Sequence, residues 1–251
     1  MALERVMLSR ERLADAVGDR WSDSELSEAL ELLTRADGRF PAGVRTLPAD
    51  LVKAVQRERL LAAMISVATE LGYRSLTVQN VLTRAGISRP TFYEQFEDKE
   101  DCFLAAFDAA AGRMRARIEA AVLDSGPTWR DRLRDSIAEL LRFIVDEPED
   151  ARIVIVEARA SSPSGLRRRD ELLDDFAGCI DALVRADLDE PPSAIAAAGV
   201  VGGIESVLYA RLQRDEGGDL GALLPSLMYF AVLSYAGREA AAEEIDDAAL
   251  A

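Results

Sequence analysis

The sequence contains no histidine, so it lacks the side chain that most often serves as a general base or a metal ligand. Its two cysteines, Cys102 and Cys179, are far apart and form no CxxC pair, which argues against a disulfide framework and against a zinc site. A glycine-rich phosphate loop is also missing. We therefore predict that the protein is not an enzyme and that it holds no metal and no cofactor.

Aromatic residues make up only 6% of the 251 residues, and β-branched residues are sparse, whereas alanine, leucine, arginine and glutamate dominate. This composition favours helix over strand. Glycine, proline and serine clusters divide the chain into segments with helical periodicity. We predict an all-α protein, with helices at 49–71, 78–85, from Ser88 onward, 99–124, 128–146, 148–160, 164–187, 192–213 and 220–237.

The predicted helices group into three parts of the chain. Residues 1–48 form a helical N-terminal extension, with helices at 3–17 and 23–36, and a glycine- and proline-rich linker. Residues 49–98 form a set of short helices, and residues 99–251 form a larger helical bundle. The N-terminus has no apolar core typical of a signal peptide, and the longest uncharged run, 220–237, suits a buried or interface helix. We expect a cytoplasmic protein.

The stretch RAGISRPTFYEQFEDKE, residues 84–100, has the pattern of a helix-turn-helix. An amphipathic helix ends at Ala85, Gly86 supplies the turn, and Ser88 caps the next helix with Pro90 in its first turn. Phe92 and Phe96 are predicted to face the core. Polar side chains on the outer face of the second helix can then enter a DNA major groove.

These residues resemble the DNA-binding domain of the tetracycline-repressor (TetR) family. The resemblance covers about 50 residues and is carried by Ala62-Ala63, Gly72-Tyr73, Thr77-Val78, Ala85-Gly86-Ile87-Ser88, Thr91-Phe92-Tyr93, Phe96 and Asp98-Lys99-Glu100. It implies an all-α homodimer with an N-terminal helix-turn-helix domain at 49–98. It also implies a helical ligand-binding and dimerisation domain at 99–251, and repression that a small molecule relieves.

Three side chains of the second helix are candidates for contacts with bases. Arg89 can donate two hydrogen bonds to a guanine edge, Gln95 can bond adenine or a phosphate, and Thr91 can meet a thymine methyl group. Arg89 and Gln95 can also be ordinary solvated surface residues. Glu94 fits better as a solvated residue, or as a discriminator against wrong bases, than as an attractive contact.

A second group of residues is predicted to contact phosphates: Thr77, Tyr93, Lys99, Arg74 and Arg45. Thr77 lies at a helix N-terminus, where a phosphate is favoured, although it can also be only a cap. Tyr93 matches a phosphate-contacting tyrosine of the family, with a place in the core as the alternative. Lys99 opposes the helix dipole unless a phosphate or a surface carboxylate is near it. Arg74 and Arg45 can also be plain surface charges.

The net charge of −15 raises the question of how the chain approaches DNA. From Lys53 to Lys99 there are seven positive and five negative residues, which leaves this segment at +2 and the rest of the chain at −17. Charges beyond a Debye length of about 8–10 Å are largely screened, so phosphate contact depends on the local charge. The acidity thus lies outside the predicted DNA-binding segment.

The C-terminal part carries candidates for an interface and for a ligand pocket. Dimerisation is expected because two heads roughly 34–36 Å apart match one turn of a palindromic site. Small and apolar residues on the last two helices predict an interface of Val200, Ile204, Leu208, Leu224, Leu227, Phe230 and Ala231, with a monomer core as the alternative. The pocket candidates are Trp129, Phe143, Ile155, Phe176 and Cys179, with Glu157 and Arg159 as polar contacts; most of these can also be core residues.

We therefore expect a sequence-specific DNA-binding transcriptional regulator that a small-molecule ligand releases from a palindromic operator. The alternative is a helical interaction protein of the same fold that does not bind DNA. The long helix at 99–124 joins the two predicted domains. Our hypothesis for its role is that a ligand tilts this helix and changes the separation of the two DNA-binding heads.

Overall fold

The structure is a computed structural model that describes residues 48–188, 195–214 and 220–246, together with Ser193 and five residues between Trp21 and Ser27. The predicted helices at 3–17 and 23–36 fall almost entirely outside these residues. Within the described ranges every regular element is a helix, which confirms the all-α prediction. The chain divides into two compact units, Met1–Ala106 and Phe107–Ala251.

The first unit is built on three helices, α1 (Ala49–Leu71), α2 (Val78–Ala85) and α3 (Arg89–Tyr93), and on the start of α4 (Lys99–Leu123). The predicted caps form. Thr77 and Asn80 make a capping box at the start of α2, and the Ser88 hydroxyl accepts a hydrogen bond from the Thr91 amide. Asp98 accepts from the Asp101 amide at 2.9 Å, as expected of an N-cap of α4.

The core of the first unit gathers the apolar faces of these helices. Leu60, Met64 and Val67 of α1 are buried as their spacing predicts, whereas Leu71 at the end of the same stripe is 41% exposed. Phe92 and Phe103 are fully buried. The hydrophobic effect on Phe92 fixes α3 in the core of this unit and leaves the opposite face of α3 to solvent.

The second unit begins within α4 and continues through α5 (Trp129–Asp146), α6 (Pro148–Arg152), α7 (Ala158–Ala160), α8 (Pro163–Asp187), α9 (Ile195–Gln213) and α10 (Leu224–Asp246). A capping box of Thr128 and Asp131 starts α5, and the two hydrogen bonds from Thr128 hold the pKa of Asp131 below its usual value. By length and composition, α9 is the one described helix that suits a membrane span, which is weak evidence.

The segment predicted as one helix at 148–160 is instead interrupted by a π-helical turn, Ile153–Glu157, between α6 and α7. All five residues of this turn are buried, including Glu157. The wider turn inserts one extra residue into the helical register, and turns of this kind are frequent at functional sites.

The last helix runs past its predicted end. The helix was predicted over 220–237, but at Gly237 the chain only kinks, with φ 80°, and the helix continues to Asp246. A positive φ is easily adopted by glycine, which explains the residue at the kink. Beyond it Glu244 is fully buried and pairs with Arg130 and Arg134 of α5. These ion pairs hold the acidic, alanine-rich end of α10 against α5.

Candidate nucleic-acid interface and internal cavity

The turn between α2 and α3 has the geometry of a helix-turn-helix. Gly86 adopts a left-handed conformation with φ 65°, and its amide donates to the Leu82 carbonyl at 2.9 Å. Arg84 secures α2 on α1, because its guanidinium donates to Ser66 and pairs with Glu70. The position of α3 is thereby fixed on both sides, by the turn and by the burial of Phe92.

Arg89 is the first residue of α3, and its side chain is exposed. One guanidinium nitrogen, Nη2, donates to the side-chain carbonyl of Gln79 on α2 at 3.2 Å. Thr91 is half-buried, with its hydroxyl 2.9 Å from the Ser88 hydroxyl. The guanidinium N–H groups of Arg89, which could donate to the edge of a base, therefore lie at the protein surface. Gln79 was not among the site residues predicted from the sequence. Its side chain is exposed and shares a hydrogen bond with Thr83, four residues further along α2.

The structure corrects the prediction for Gln95. The helix ends at Tyr93, so Gln95 lies beyond it, half-buried, and its amide donates to the Lys53 carbonyl of α1 at 3.2 Å. The side chain therefore bonds the protein's own backbone. The outward face predicted to extend from Arg89 to Gln95 is shorter than expected.

The structure also gives Lys99 an internal role. Its ammonium donates to the carbonyls of Tyr73 and Leu76, at 3.2 and 3.3 Å, and lies 4.3 Å from the centroid of the Tyr73 ring. The cost of a cation in the first turn of a helix is offset by these two carbonyls and by the aromatic face. A phosphate is not needed to explain this residue.

The other predicted phosphate contacts lie in different surroundings. Tyr93 is 50% exposed, which rules out a place in the core; its ring packs edge-on against Phe92. Thr77 is exposed and also caps α2, so it serves as a cap whether or not it meets a phosphate. Arg74 is exposed, and Arg45 lies outside the described residues.

The second unit encloses a cavity of about 690 Å³ between α4, α5, the π-helical turn, α8 and α9. Of the residues predicted for a ligand pocket, Ile155, Phe176 and Cys179 line this cavity. Trp129 and Phe143 do not: Trp129 packs against Tyr235, and Phe143 is fully buried near Arg117. The volume lies within the roughly 300–1,000 Å³ typical of small-molecule sites. The cavity wall is mainly apolar.

Two charged residues in the wall of the cavity, Arg169 and Glu205, were missed by the sequence analysis. Glu205 is buried and receives hydrogen bonds from both Arg169 and Arg159. A signal for Glu205 was available, because it is the one charged residue within the apolar stretch from Ile195 to Ala210. A carboxylate in such a stretch requires buried partners.

The two cysteines have different surroundings. Cys179 is exposed at the cavity, whereas Cys102 is fully buried in the first unit. Burial raises the pKa of the Cys102 thiol well above its usual range. Cys102 is therefore a structural residue of the core.

Most of the predicted interface residues belong to the core of the single chain. Val200, Ile204, Leu208, Leu227 and Ala231 are all buried without any partner. They are inaccessible to a second copy, which corrects the prediction for these five positions. Leu224 is half-buried and Phe230 is 40% exposed, so both remain within reach of a partner.

Residues 60–106 match the family described as "Bacterial regulatory proteins, tetR family". An HTH-type transcriptional regulator of Saccharopolyspora erythraea is 27% identical over 171 residues, which cover 68% of this chain and 68% of the relative. The fatty acid metabolism regulator protein of Bacillus subtilis is 21% identical over 176 residues, covering 68% of this chain and 90% of that protein.

Solved structures have the same fold. The transcriptional regulator FadR from Bacillus subtilis, solved in complex with stearoyl-CoA, superposes with a TM-score of 0.62 at 22% identity and covers 73% of this chain and 98% of its own. The fatty acid degradation regulator FadR from Bacillus halodurans superposes with a TM-score of 0.63 at 20% identity. The match covers 70% of this chain and 94% of that chain. With the helix-turn-helix of α2 and α3, these matches confirm the resemblance: residues 60–106 match the DNA-binding domain of the tetR family, and the chain is a DNA-binding transcriptional regulator similar to members of that family.

Proposed function

We propose that the protein is a cytoplasmic repressor that binds a palindromic operator as a homodimer and is released when an amphipathic small molecule fills its cavity. The observation that carries this proposal is the exposed guanidinium of Arg89 at the first position of α3. The helix beneath it is anchored by the buried Phe92. A rigid helix with an exposed arginine at its N-terminal end suits recognition of a guanine in the major groove.

Around Arg89, exposed groups are placed to contact the DNA backbone. Tyr93 and Thr77 present hydroxyl groups, and Arg74 adds a positive charge. Contacts of this kind set the register of a protein on DNA and carry no sequence information of their own. We therefore assign base recognition to Arg89 and Thr91, and positioning on the phosphates to Tyr93, Thr77 and Arg74.

For the homodimer we propose an interface on the outer faces of α9 and α10. Large apolar side chains are exposed there, with Ile195 at 77%, Val207 at 40% and Leu233 at 42%. Gly199 and Gly202 have open space beside them, which permits close approach of another helix. Phe230 is 40% exposed and lies across Gly203, where an added Cβ would come within 2.7 Å of its ring. Large apolar side chains exposed on two helices support an interface with a partner at these faces.

The chemical class of the effector is proposed from the lining of the cavity and from the ligands and roles of similar proteins. The cavity wall is mainly apolar, and one relative of the same fold is described in complex with stearoyl-CoA. Another is described as a fatty acid metabolism regulator. A ligand with a long apolar chain is therefore the class that we propose. The relatives named are regulators, and we assign no catalytic activity to this chain.

Release from DNA is proposed to act through α4. This helix is continuous from Lys99 to Leu123, and its part from Met114 to Leu123 lines the cavity. A ligand that binds one orientation of α4 better than another shifts the population of dimers toward that orientation. The separation of the two helix-turn-helix units would then no longer match one turn of DNA.

Selection of bound sequences from random double-stranded DNA tests the proposal. The wild-type protein is expected to enrich a palindrome whose half-sites lie about one helical turn apart. Arg89→Ala should lose about 1–3 kcal/mol of discrimination at one base pair of each half-site, since a bidentate contact disappears. Glu97→Ala, an exposed position past the end of α3, is the control and should enrich the same palindrome.

The outcome of the selection separates the proposal from its alternative. If the wild-type protein enriches no sequence, the helical fold serves another kind of interaction and the proposal fails. An enriched site without two-fold symmetry would refute the homodimer. A palindrome that is unchanged by Arg89→Ala would refute the assignment of that residue.

A further inference from the structure

The wall of the cavity contains a buried cluster of two arginines around one carboxylate. Glu205 of α9 is 8% exposed. Arg159 donates to it through Nε at 3.0 Å and through Nη2, and so engages both carboxylate oxygens. Arg169 of α8 donates through Nε to Oε1 at 3.2 Å, and its Nη2 lies 2.9 Å from the same oxygen in an ion pair. Arg169 and Glu205 line the cavity, and Arg159 lies behind them against the Tyr209 ring, 4.1 Å from its centroid.

The cluster has more positive than negative charge where it faces the cavity. Two guanidinium groups share one buried carboxylate, which leaves an excess of one positive charge. Asp170 also pairs with Arg169, at 2.7 Å, but its side chain is 63% exposed and is screened by solvent. Excess charge beside an apolar cavity is costly unless an opposite charge joins it.

The other charged residues of the cavity wall do not balance this excess. Arg115 and Asp175 pair with each other at 2.6 Å and so cancel. Glu119 is exposed. The position beside Arg169 is therefore where an added negative charge would be favoured most.

The shape of the cavity suits a chain with one polar end. Its lining along α8 extends from Arg169 to Ala186, a distance of about 25 Å at 1.5 Å per residue. Leu172, Phe176 and Leu183 lie between these ends. At the end opposite Arg169, Ala186 is exposed and Leu123 of α4 is 85% exposed.

We infer that the effector is an amphipathic monoanion whose carboxylate binds Arg169 and whose apolar chain lies along α8 toward Leu123 and Ala186. Glu205 shows that this cluster already holds a carboxylate. Arg159 can keep Glu205 through its two hydrogen bonds while Arg169 turns to the ligand. Each carboxylate then has its own guanidinium, and the cluster becomes neutral. The inference rests on the proposed effector cavity and adds the chemistry of the head group.

Calorimetric titration of the full-length protein tests the inference with three probes of equal chain length: dodecanoate, dodecanol and dodecanoyl-CoA. Wild-type protein is expected to bind dodecanoate at least about tenfold more tightly than dodecanol, because a charge-assisted hydrogen bond is gained. Arg169→Gln should remove this preference and leave the affinity for dodecanol unchanged. Arg168→Gln, an exposed neighbour that pairs with Asp108, should keep it.

A second variant, Glu205→Gln, keeps the inference testable if Arg169→Gln does not fold. Glu205→Gln removes the competing carboxylate and should strengthen dodecanoate binding. Equal affinity of wild-type protein for dodecanoate and dodecanol, or weaker dodecanoate binding by Glu205→Gln, would overturn the inference. Tighter binding of dodecanoyl-CoA than of dodecanoate that persists in Arg169→Gln would overturn it too. The phosphates of the CoA group, bound away from Arg169, would then determine recognition. Operator binding without ligand, measured on the same preparations, shows separately whether the proposed DNA-binding function stands.

Discussion

At the residue scale, the DNA-binding surface depends on which polar side chains are held by the protein itself. Arg89 and Gln95 both looked free to contact bases. Gln95 is tied to the Lys53 carbonyl, whereas the hydrogen bond that holds Arg89 within the described part of the chain comes from the exposed side chain of Gln79. A hydrogen bond between two exposed side chains does not remove Arg89 from DNA; it limits the rotamers that the guanidinium samples. Gln79 is therefore a positioning residue for Arg89.

The first prediction concerns Gln79→Ala. Without the amide acceptor, Arg89 regains rotamer freedom that must be lost again on binding a guanine. We expect the ratio of operator to non-operator affinity to fall by roughly 2- to 12-fold, which corresponds to a hydrogen bond of about 0.5–1.5 kcal/mol. Fluorescence anisotropy with operator DNA and with a duplex mutated at the guanine measures this ratio.

Gln79→Glu is the conservative control for this experiment. It keeps an acceptor for Arg89, and its added negative charge should weaken binding to both duplexes while preserving their ratio. If Gln79→Ala lowers the affinity for both duplexes equally, Gln79 only contacts the DNA backbone or stabilises the protein. The positioning role would then be wrong.

Other residues show what the sequence can and cannot tell at this scale. Phe92 and Phe96 were predicted to be buried, and both are, because helical spacing alone determines which face is apolar. Lys99 was assigned to a phosphate, yet it binds carbonyls of Tyr73 and Leu76. Those partners lie more than twenty residues away along the chain, and no local pattern indicates them.

At the element scale, helix ends with a side-chain cap were predictable and helix interruptions were not. The caps at Thr77 and Ser88 are local interactions, and they fixed the starts of α2 and α3. The π-helical turn Ile153–Glu157 and the kink at Gly237 depend on packing against other helices. The same holds for the interface prediction, since the periodicity of α9 does not distinguish a face buried in its own chain from one buried by a partner.

The second prediction concerns the end of α10. Glu244 is fully buried between Arg130 and Arg134, so Glu244→Gln leaves Arg134 without its carboxylate and leaves Arg130 with the exposed Glu243. Removing one partner of a buried ion pair destabilises a protein by about 3–5 kcal/mol. We expect the midpoint of thermal unfolding to fall by roughly 6–20 °C, at about 2–4 °C per kcal/mol.

Glu243→Gln is the matched control for Glu244. Glu243 is the adjacent residue and pairs with the same Arg130, but its side chain is 63% exposed. Exposed ion pairs contribute about 0–1 kcal/mol, so the midpoint should hardly move. Circular dichroism measures both unfolding midpoints. Equal midpoints for the two variants would show that Glu244 does not stabilise the segment after Gly237.

At the scale of the whole molecule, acidity and DNA binding are compatible because the charge is unevenly distributed along the chain. The segment from Lys53 to Lys99 has a net charge of +2 within a chain of −15. Much of the remaining acidity is paired internally in the second unit, as with Asp150 and Arg113 at 2.7 Å. The exposed acidic surface is expected to suppress non-specific association with DNA and leave the local contacts at α3 intact.

The last prediction links the cavity to the DNA-binding surface. A carboxylate with a long apolar chain is proposed to release the protein from its operator. The coupling free energy between ligand binding and operator binding is then the same whichever of the two binds first. Dodecanoate should lower operator affinity by some factor, typically about 5- to 150-fold, and saturating operator should lower dodecanoate affinity by that same factor. Anisotropy measures the first factor and calorimetry the second. In Arg169→Gln, operator binding without ligand should be unchanged, and dodecanoate at concentrations that release wild-type protein should leave the complex intact. A loss of operator affinity that keeps growing with dodecanoate concentration and reaches no plateau would mean that dodecanoate displaces DNA by direct competition or by unfolding, and release through α4 would then be excluded.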